Sequence, residues 1–383
     1  MRTIDQSPLP IDKFSSMLPP KIKRNIYRII PFGLIWLAFS IVYTVLERGL
    51  LGQLDYYPAT GNPYSFRSVI FITPVSAFIT GLCLGIFEIL YFNKWFQQLS
   101  FGKKILYKST IYLVIISSFL VLVTAVANYF QSGAGFFSSQ IWDLVWAFVF
   151  TYAFLSIILY IAAITIVLQF YTEVSESVSL NVLQNFFTGK YHKPVEEERI
   201  FMFLDMKSST RIAESIGHIR YFEMLKEYYS DLSDSIINYS GEIYQYVGDE
   251  IVVSWTLKNG LQNNNCMLCF FDMKAAIKRQ TEKYNRKFGL LPEFKAGFHL
   301  GKVTTGEIGV IKKEIIFTGD VLNTTARIQG LCNAYQVDIL ISSNLIKRLD
   351  LDSQFQIKSL GENELRGRDE KMELFTILQG GQI

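Results

Sequence analysis

Four long apolar segments in the first half of the chain constrain it most: residues 29–46, 68–92, 109–130 and 141–170. Each has about the length, roughly 20 residues, that an α-helix needs to cross the hydrocarbon of a bilayer. Glu88 and Asp143 are the charged residues within them, and Asp143 sits near an end. The chain is 50% hydrophobic, and that excess is concentrated in these runs, which sets it apart from an ordinary soluble enzyme. Four crossings return the chain to the side on which it began.

Basic residues give the orientation. Lys21, Lys23, Arg24 and Arg28 precede the first run, and Lys94, Lys103, Lys104 and Lys108 follow the second. The other two loops hold only Arg48 and Arg67, offset by Glu47 and Asp55. A multi-pass protein of the inner cell membrane is expected, with its N-terminal segment (1–28), middle loop and everything after residue 170 in the cytoplasm. The basic cluster comes late and no small-residue cleavage site follows the first run, so a cleavable signal is not expected. Glu88 lies near the cytoplasmic end of its run. Acids there either do a job between helices or snorkel to the interface, and the sequence leaves both open.

The net charge of +3 gives no support to a nucleic-acid partner. Cys266 and Cys269 have half-zinc-site spacing, but no second Cys or His pair sits at a fitting distance, so they read as thiols on a helix face. Cys332 lies with them in the cytoplasmic half, where structural disulfides are not expected.

After the helical transmembrane domain (29–170), residues 171–194 form a polar connector that ends at Gly189 and Pro194. It is either a helix that transmits a movement or a plain linker. Residues 195–383 have the composition of a mixed α/β domain of ordinary size. A buried strand, 200–204, ends at Asp205. A helix follows, with Phe222, Leu225, Tyr229, Leu232 and Ile236 on one face. Strands at 242–246 and 251–255 flank a tight turn that carries Gly248, Asp249 and Glu250, a good hairpin signal. One long helix is expected over 266–288, a strand and turn over 294–309, a helix over 323–331, and a closing strand pair near 356–378.

A carboxylate at a strand end and another at a hairpin tip converge if the two strands are neighbours. Two hard oxygen ligands on an open site suit Mg²⁺ or Mn²⁺, with a phosphate supplying further oxygens. His192, His218 and His299 form no visible zinc site.

These residues resemble the catalytic domain of the class III adenylate/guanylate (nucleotidyl) cyclase family. FLDMKSST (203–210) is similar to its first metal motif and YVGDEIVVSW (246–255) to its second. GFHLGKVTTGEIG (297–309) resembles its glycine-rich segment, TGDVLNTTARIQ (318–329) its transition-state helix, and ELRGRDEKMELFTI (364–377) its closing hairpin. The resemblance implies a ferredoxin-like βαββαβ fold and a membrane-anchored, bacterial-type adenylate cyclase that makes cyclic AMP and pyrophosphate from ATP. Asp205 and Asp249 would hold two divalent ions. Asn323 would orient the ribose, and Arg327 would stabilise charge at the reacting phosphorus. Arg366 would bind the terminal phosphates, with Met206 also at the substrate. In this family the metal acids and the Asn/Arg pair come from different subunits, so a single domain implies a homodimer with two sites.

The pattern departs at base recognition. The family's adenylate cyclases carry Lys four residues before the second metal acid and Asp or Thr eleven before the catalytic Arg; Gln245 and Ile316 stand there. The guanylate pattern of Glu and Cys does not fit either. ATP is preferred to GTP on the family's usage alone. The alternatives are a guanylate cyclase and a catalytically degenerate cyclase-fold receptor or nucleotide-binding module.

Overall fold

A polypeptide in hydrocarbon must satisfy its own backbone hydrogen bonds, and helices do so within one segment. The computed structural model describes residues 18–92, 95–96, 99–178, 180–351, 355–365 and 371–379. Contacts divide the chain into a unit over Arg24–Gln184 and a second unit built on Asn185–Ile383. The first contains α1 (Pro20–Leu51), α2 (Phe66–Phe87, continued by a π turn, Glu88–Phe92), α3 (Phe101–Ser132), α4 (Ser139–Val149) and α5 (Tyr152–Val178). Among the described residues, four helices are long and apolar enough to cross a membrane: α1, α2 with its π turn, α3 and α5.

The fourth apolar run is not the single helix expected over 141–170. It splits between Val149 and Tyr152. Thr151 is the cause: its hydroxyl accepts a hydrogen bond from the Phe154 amide at 3.2 Å and donates to the Phe148 carbonyl at 2.7 Å. That caps the start of α5. Hydropathy does not register a cap, so the run looked continuous.

Between the helices lies a buried polar network. Lys108 on α3 donates to Glu88 of the π turn at 2.7 Å and to Glu173 on α5 at 3.0 Å. Tyr112 donates to Glu88 at 2.5 Å, and Lys104 reaches Glu173 at 3.1 Å. Glu88 and Lys108 are both 0% exposed. Glu88 is therefore an interhelical group and does not snorkel, and Lys108, counted above among the loop charges, lies inside the bundle. Small residues allow close approach nearby: a Cβ at Gly81 would stand 2.6 Å from the Phe32 carbonyl oxygen on α1.

The second unit, following α6 (Leu180–Thr188), opens with β1 (Val195–Met206). It continues with α7 (Ser209–Ile216), α8 (His218–Asn238), β2 (Glu242–Val247) and β3 (Glu250–Thr256). Next come α9 (Asn265–Arg279), α10 (Thr281–Phe288), β4 (Phe294–Ile308), β5 (Glu314–Thr318) and α11 (Asp320–Gly330). The strands β6 (Ile339–Ser342), β7 (Phe355–Asn363) and β8 (Met372–Gln379) complete it. The single helix expected over 266–288 is two, with the break at Gln280. Strand order is β2-β3-β1-β4-β6-β8-β7, with β5 on β4. The first four strands and their helices form the βαββαβ, ferredoxin-like core.

β1 is buried on both faces, and its two-residue period sorts its side chains. Ile200, Met202, Leu204 and Met206 enter the main core with residues of α8 and α9, such as Met224, Tyr228 and Phe270. Phe201 and Phe203 face the other way, with Val252, Val303 and Val321. Asp205 follows on that second face, beneath α11. Met206 does not. Cys266, Cys269 and Cys332 are free and buried, and burial pushes the Cys266 thiol up to about 12.

Removing one member of a buried ion network strands the others, at a cost of about 3–5 kcal/mol. Lys108→Met, which leaves Glu88 and Glu173 without their shared cation, is expected to lower the thermal unfolding midpoint of the full chain in detergent. Adding Glu88→Gln to it is expected to recover part of the loss.

Candidate active site

The site forms on one face of the sheet where three strands run in register. Asp205 on β1 is paired with Glu250 on β3 and with Lys295 on β4. Directly opposed side chains lie close enough to interact, so the row reads acid, acid, base. Gly248, with φ +63°, makes the β2–β3 turn, a conformation that glycine adopts at no steric cost. Tyr229 on α8 holds that turn: its hydroxyl donates to the Gly248 carbonyl at 2.5 Å, and its ring lies 4.6 Å from that of Tyr246.

The turn carries Asp249 beside the Asp205 carboxylate and the Ser209 hydroxyl. Burial, and then the neighbouring Asp205, raise the Asp249 carboxyl above its ordinary value. Glu250 is pushed up to about 7, by burial first and then by the charges of Asp205 and Asp249. Three acids thus crowd one place, and one buried lysine cannot neutralise them all. A divalent cation reverses that balance.

The donor set fits such an ion. Oδ2 of Asp249 is buried and has no hydrogen-bond partner among the described residues, a costly state for a neutral site and a suitable one for a metal ligand. No group of three or more His, Cys, Asp or Glu side chains converges as a metal cage among the described residues. An ion here would rest on Asp205 and Asp249 and draw its remaining oxygens from a phosphate or water.

Asn323 and Arg327 lie elsewhere. Val321, Thr324, Thr325, Ile328 and Gln329 form the buried face of α11. At 100° per residue, Asn323 and Arg327 share the opposite face, and Arg327 points roughly 160° away from Gln329. Gln329 is the side chain that reaches Asp205, donating from Nε2 to Oδ2 at 3.1 Å. The pair thus turns away from the acids of its own chain. Asn323 is exposed, and Nη1 of Arg327 is buried without a hydrogen-bond partner among the described residues.

Glycine seats α11. A Cβ at Gly297 on β4 would stand 2.4 Å from the Gln329 amide nitrogen, so no other residue permits that approach. The glycine-rich segment has, at this position, a packing role.

Gln245 is exposed on β2, just past a bulge, and Ile316 is half-buried on β5. Their neighbours meet: the rings of Tyr244 and Phe317 lie 4.7 Å apart, and the Phe317 amide donates to the Tyr244 hydroxyl at 3.3 Å. Met206, expected at a substrate, has its side chain in the core at 2% exposure, on the face of β1 opposite Asp205. That corrects the expectation for its side chain. Arg366 lies outside the described residues. Sequence reasoning missed Ser209, Tyr229, Lys295 and Gln329. A lysine inside the apolar strand FKAGF was the one signal available for any of them.

Residues 191–379 match the family described as "Adenylate and Guanylate cyclase catalytic domain". Adenylate cyclase 2 of Rhizobium meliloti (strain 1021) is 34% identical over 226 residues, 59% of this chain and 62% of that protein. That match is longer than the family segment, so even if it runs to Ile383 it begins by about residue 160 and takes in most of α5 and the connector. The adenylate cyclase of Anabaena cylindrica is 25% identical over 46% of this chain and 36% of its own. Human retinal guanylyl cyclase 1 is also 25% identical, over 47% of this chain and 16% of its own. The chain thus spans less than two thirds of the length of these relatives. A bacterial light-regulated adenylyl cyclase shares the fold, with a TM-score of 0.51 at 20% identity over 60% of this chain and 67% of that one.

The crowded acids have a consequence for stability. Glu250 keeps its proton to about pH 7 when folded and loses it near its ordinary value of 4.5 when unfolded. A raised carboxyl makes the unfolded state the stronger acid, so stability falls as pH rises from about 4.5 to 7, and the cost is fully present above that. Denaturant titration of metal-free protein across this range is expected to show that decline, and Glu250→Gln to flatten it.

Proposed function

Since residues 191–379 belong to the adenylate and guanylate cyclase catalytic-domain family, we propose that this chain is a membrane-anchored adenylate cyclase working as a homodimer. In this reading it converts ATP to 3′,5′-cyclic AMP and pyrophosphate. The observation that carries the reading is the division of the site. Asp205 and Asp249 converge around a buried oxygen, Oδ2 of Asp249, that lacks a donor among the described residues, while the helical phase of α11 turns Asn323 and Arg327 away from them; in this reading a second copy would supply that half of the site.

Asp205 and Asp249 would hold two divalent ions, Mg²⁺ or Mn²⁺. When bound, such ions make the ribose 3′-hydroxyl more acidic and neutralise the triphosphate. The 3′-oxygen attacks the α-phosphorus in line and pyrophosphate leaves, so no protein nucleophile is required. Arg327 of one copy supplies its guanidinium to the charge that develops on the phosphorus held by the acids of the other. Asn323, one turn earlier on the same face, orients the ribose. Arg366 would take the terminal phosphates as a planar donor fork.

ATP rather than GTP is favoured by the 34% identity to an adenylate cyclase, although guanylyl cyclases are also among the relatives. Gln245 offers both a donor and an acceptor to a base edge, and Ile316 offers shape. The membrane domain would place the N-terminus and the catalytic domain in the cytoplasm of the inner membrane. Residues 171–194 would link it to the catalytic domain. It would also regulate output: α5 carries Glu173 of the buried network and leads into the connector. Tethering to one bilayer raises the effective concentration of the two catalytic domains.

The test is product analysis of the full chain in detergent, offered ATP and GTP in parallel with Mg²⁺ or Mn²⁺. Cyclic AMP is the expected product, and Asp249→Ala is expected to abolish it. Cyclic GMP alone would move the base assignment. No cyclic product from folded dimer would contradict the enzyme reading and point to a degenerate module. In the same assay Glu88→Gln is expected to change the basal rate, and an unchanged rate would count against control through the network.

A further inference from the structure

Arg199 has no part in the reaction described above, yet it is a cation at the head of an apolar strand. It is 2% exposed and opens the buried run of β1. The two-residue period of a strand puts it on the face that also carries Phe201, Phe203 and Asp205. An arginine is buried this deeply only where its charge is paired. Here Nη1 donates to Glu197 on β1 at 3.3 Å, and Nη2 donates to Glu242 on β2 at 2.5 Å and to the Ser254 hydroxyl on β3 at 3.1 Å. The flat guanidinium also lies over the Phe317 ring on β5, 4.8 Å from its centre, close enough for a cation–π attraction.

β2 and β5 are the strands that carry Gln245 and Ile316. Among the described residues no backbone ladder joins them: β2 pairs with β3, and β5 with β4. The spacing between the two positions is therefore set by side chains that reach from one strand to the other. Arg199 holds Glu242, three residues before Gln245, and Phe317, next to Ile316. The Tyr244 hydroxyl makes a second link by accepting from the Phe317 amide at 3.3 Å.

We infer that Arg199 is a positioning residue for base recognition, which joins β2 to β5 and so sets the gap between Gln245 and Ile316 in which the purine is held. The inference rests on the assignment of these two positions to the base in the cyclase reading, and adds to it the device that spaces them. Contacts to the base are made equally before and during the reaction, so their loss raises KM and leaves kcat nearly unchanged. The rival role is charge neutralisation of Glu197 and Glu242 alone. For that role a lysine serves as well. Lysine has neither the planar fork that bonds several partners at once nor a flat face for Phe317, so Arg199→Lys separates the two roles.

The experiment is steady-state turnover by the full chain in detergent, with ATP and GTP each used as substrate and as competing inhibitor. Inorganic tripolyphosphate, which has the phosphates and no base, is the control inhibitor. Arg199→Met and Arg199→Lys are expected to raise KM for ATP by about 10-fold or more, as a small misplacement of a binding group does. They should also change the ratio of ATP to GTP affinity, with kcat and tripolyphosphate inhibition close to those of the unmodified chain. If Arg199→Met fails to fold, Arg199→Lys and Tyr244→Phe carry the test. The second deletes only the hydroxyl that holds the Phe317 amide, and the same direction of change is expected. Folded Arg199→Lys with unaltered KM and base preference overturns the inference, and so does an equal weakening of tripolyphosphate, which would mean general damage to the site. Gln245→Ala locates the fault: if it alters neither KM nor base preference, the base assignment is wrong and the inference falls with it. If the unmodified chain turns over neither nucleotide, the cyclase reading itself is wrong.

Discussion

The catalytic domain is organised around a carboxylate placed at the end of a strand that is buried on both faces. β1 has no solvent-facing side in its central run, so Asp205 emerges only because the strand ends there. Alternation sends it to the face covered by α11 rather than to the main core. Its surroundings follow: an acid on β3, a lysine on β4, an amide from α11, and a second acid on the adjoining hairpin. Carboxylates this close repel one another, and burial adds to the cost. In the reading proposed above, a divalent ion and a triphosphate would relieve that repulsion. Functional sites commonly hold such locally unfavourable groups.

The helical unit uses the opposite arrangement. Glu88, Lys108 and Glu173 are charges of both signs, enclosed together, with Tyr112 and Lys104 satisfying the remaining oxygens. In a low-dielectric interior, a network of this kind specifies one packing of α2, α3 and α5 against the alternatives that apolar surfaces alone would allow. The π turn that carries Glu88 is a local departure from α-helical geometry, of the type often found where a helix supplies a functional side chain.

Much of this was legible in the sequence where local pattern carries the information. The spans follow from hydropathy, the acid pair from a strand end and a hairpin tip, and the shared face of Asn323 and Arg327 from their spacing. Tertiary pairing was not legible. Lys295 and Gln329 matter because of the β1–β4 register and the seating of α11 on Gly297, and neither is a local property. Lys108 reads locally as one more basic residue beside a span, because its two acids lie 20 and 65 positions away. The Thr151 cap was hidden by the apolar residues around it. Met206 is different: its alternation with Ile200, Met202 and Leu204 is a local signal for the core, and it agrees with where the side chain lies.

The central claim is that two copies of one chain build each site, one giving Asp205 and Asp249 and the other Asn323 and Arg327. Co-expression of Asp205→Ala with Arg327→Ala tests it most directly, because each variant alone lacks one half of every site. A mixed dimer holds one site with both halves intact. With random pairing, half the dimers are mixed and each has one of two sites working, so cyclic nucleotide production should return to roughly a quarter of the unmodified level. Activity that stays at the level of the separate variants, although mixed dimers are recovered, would mean that both halves act within one chain and would contradict the account.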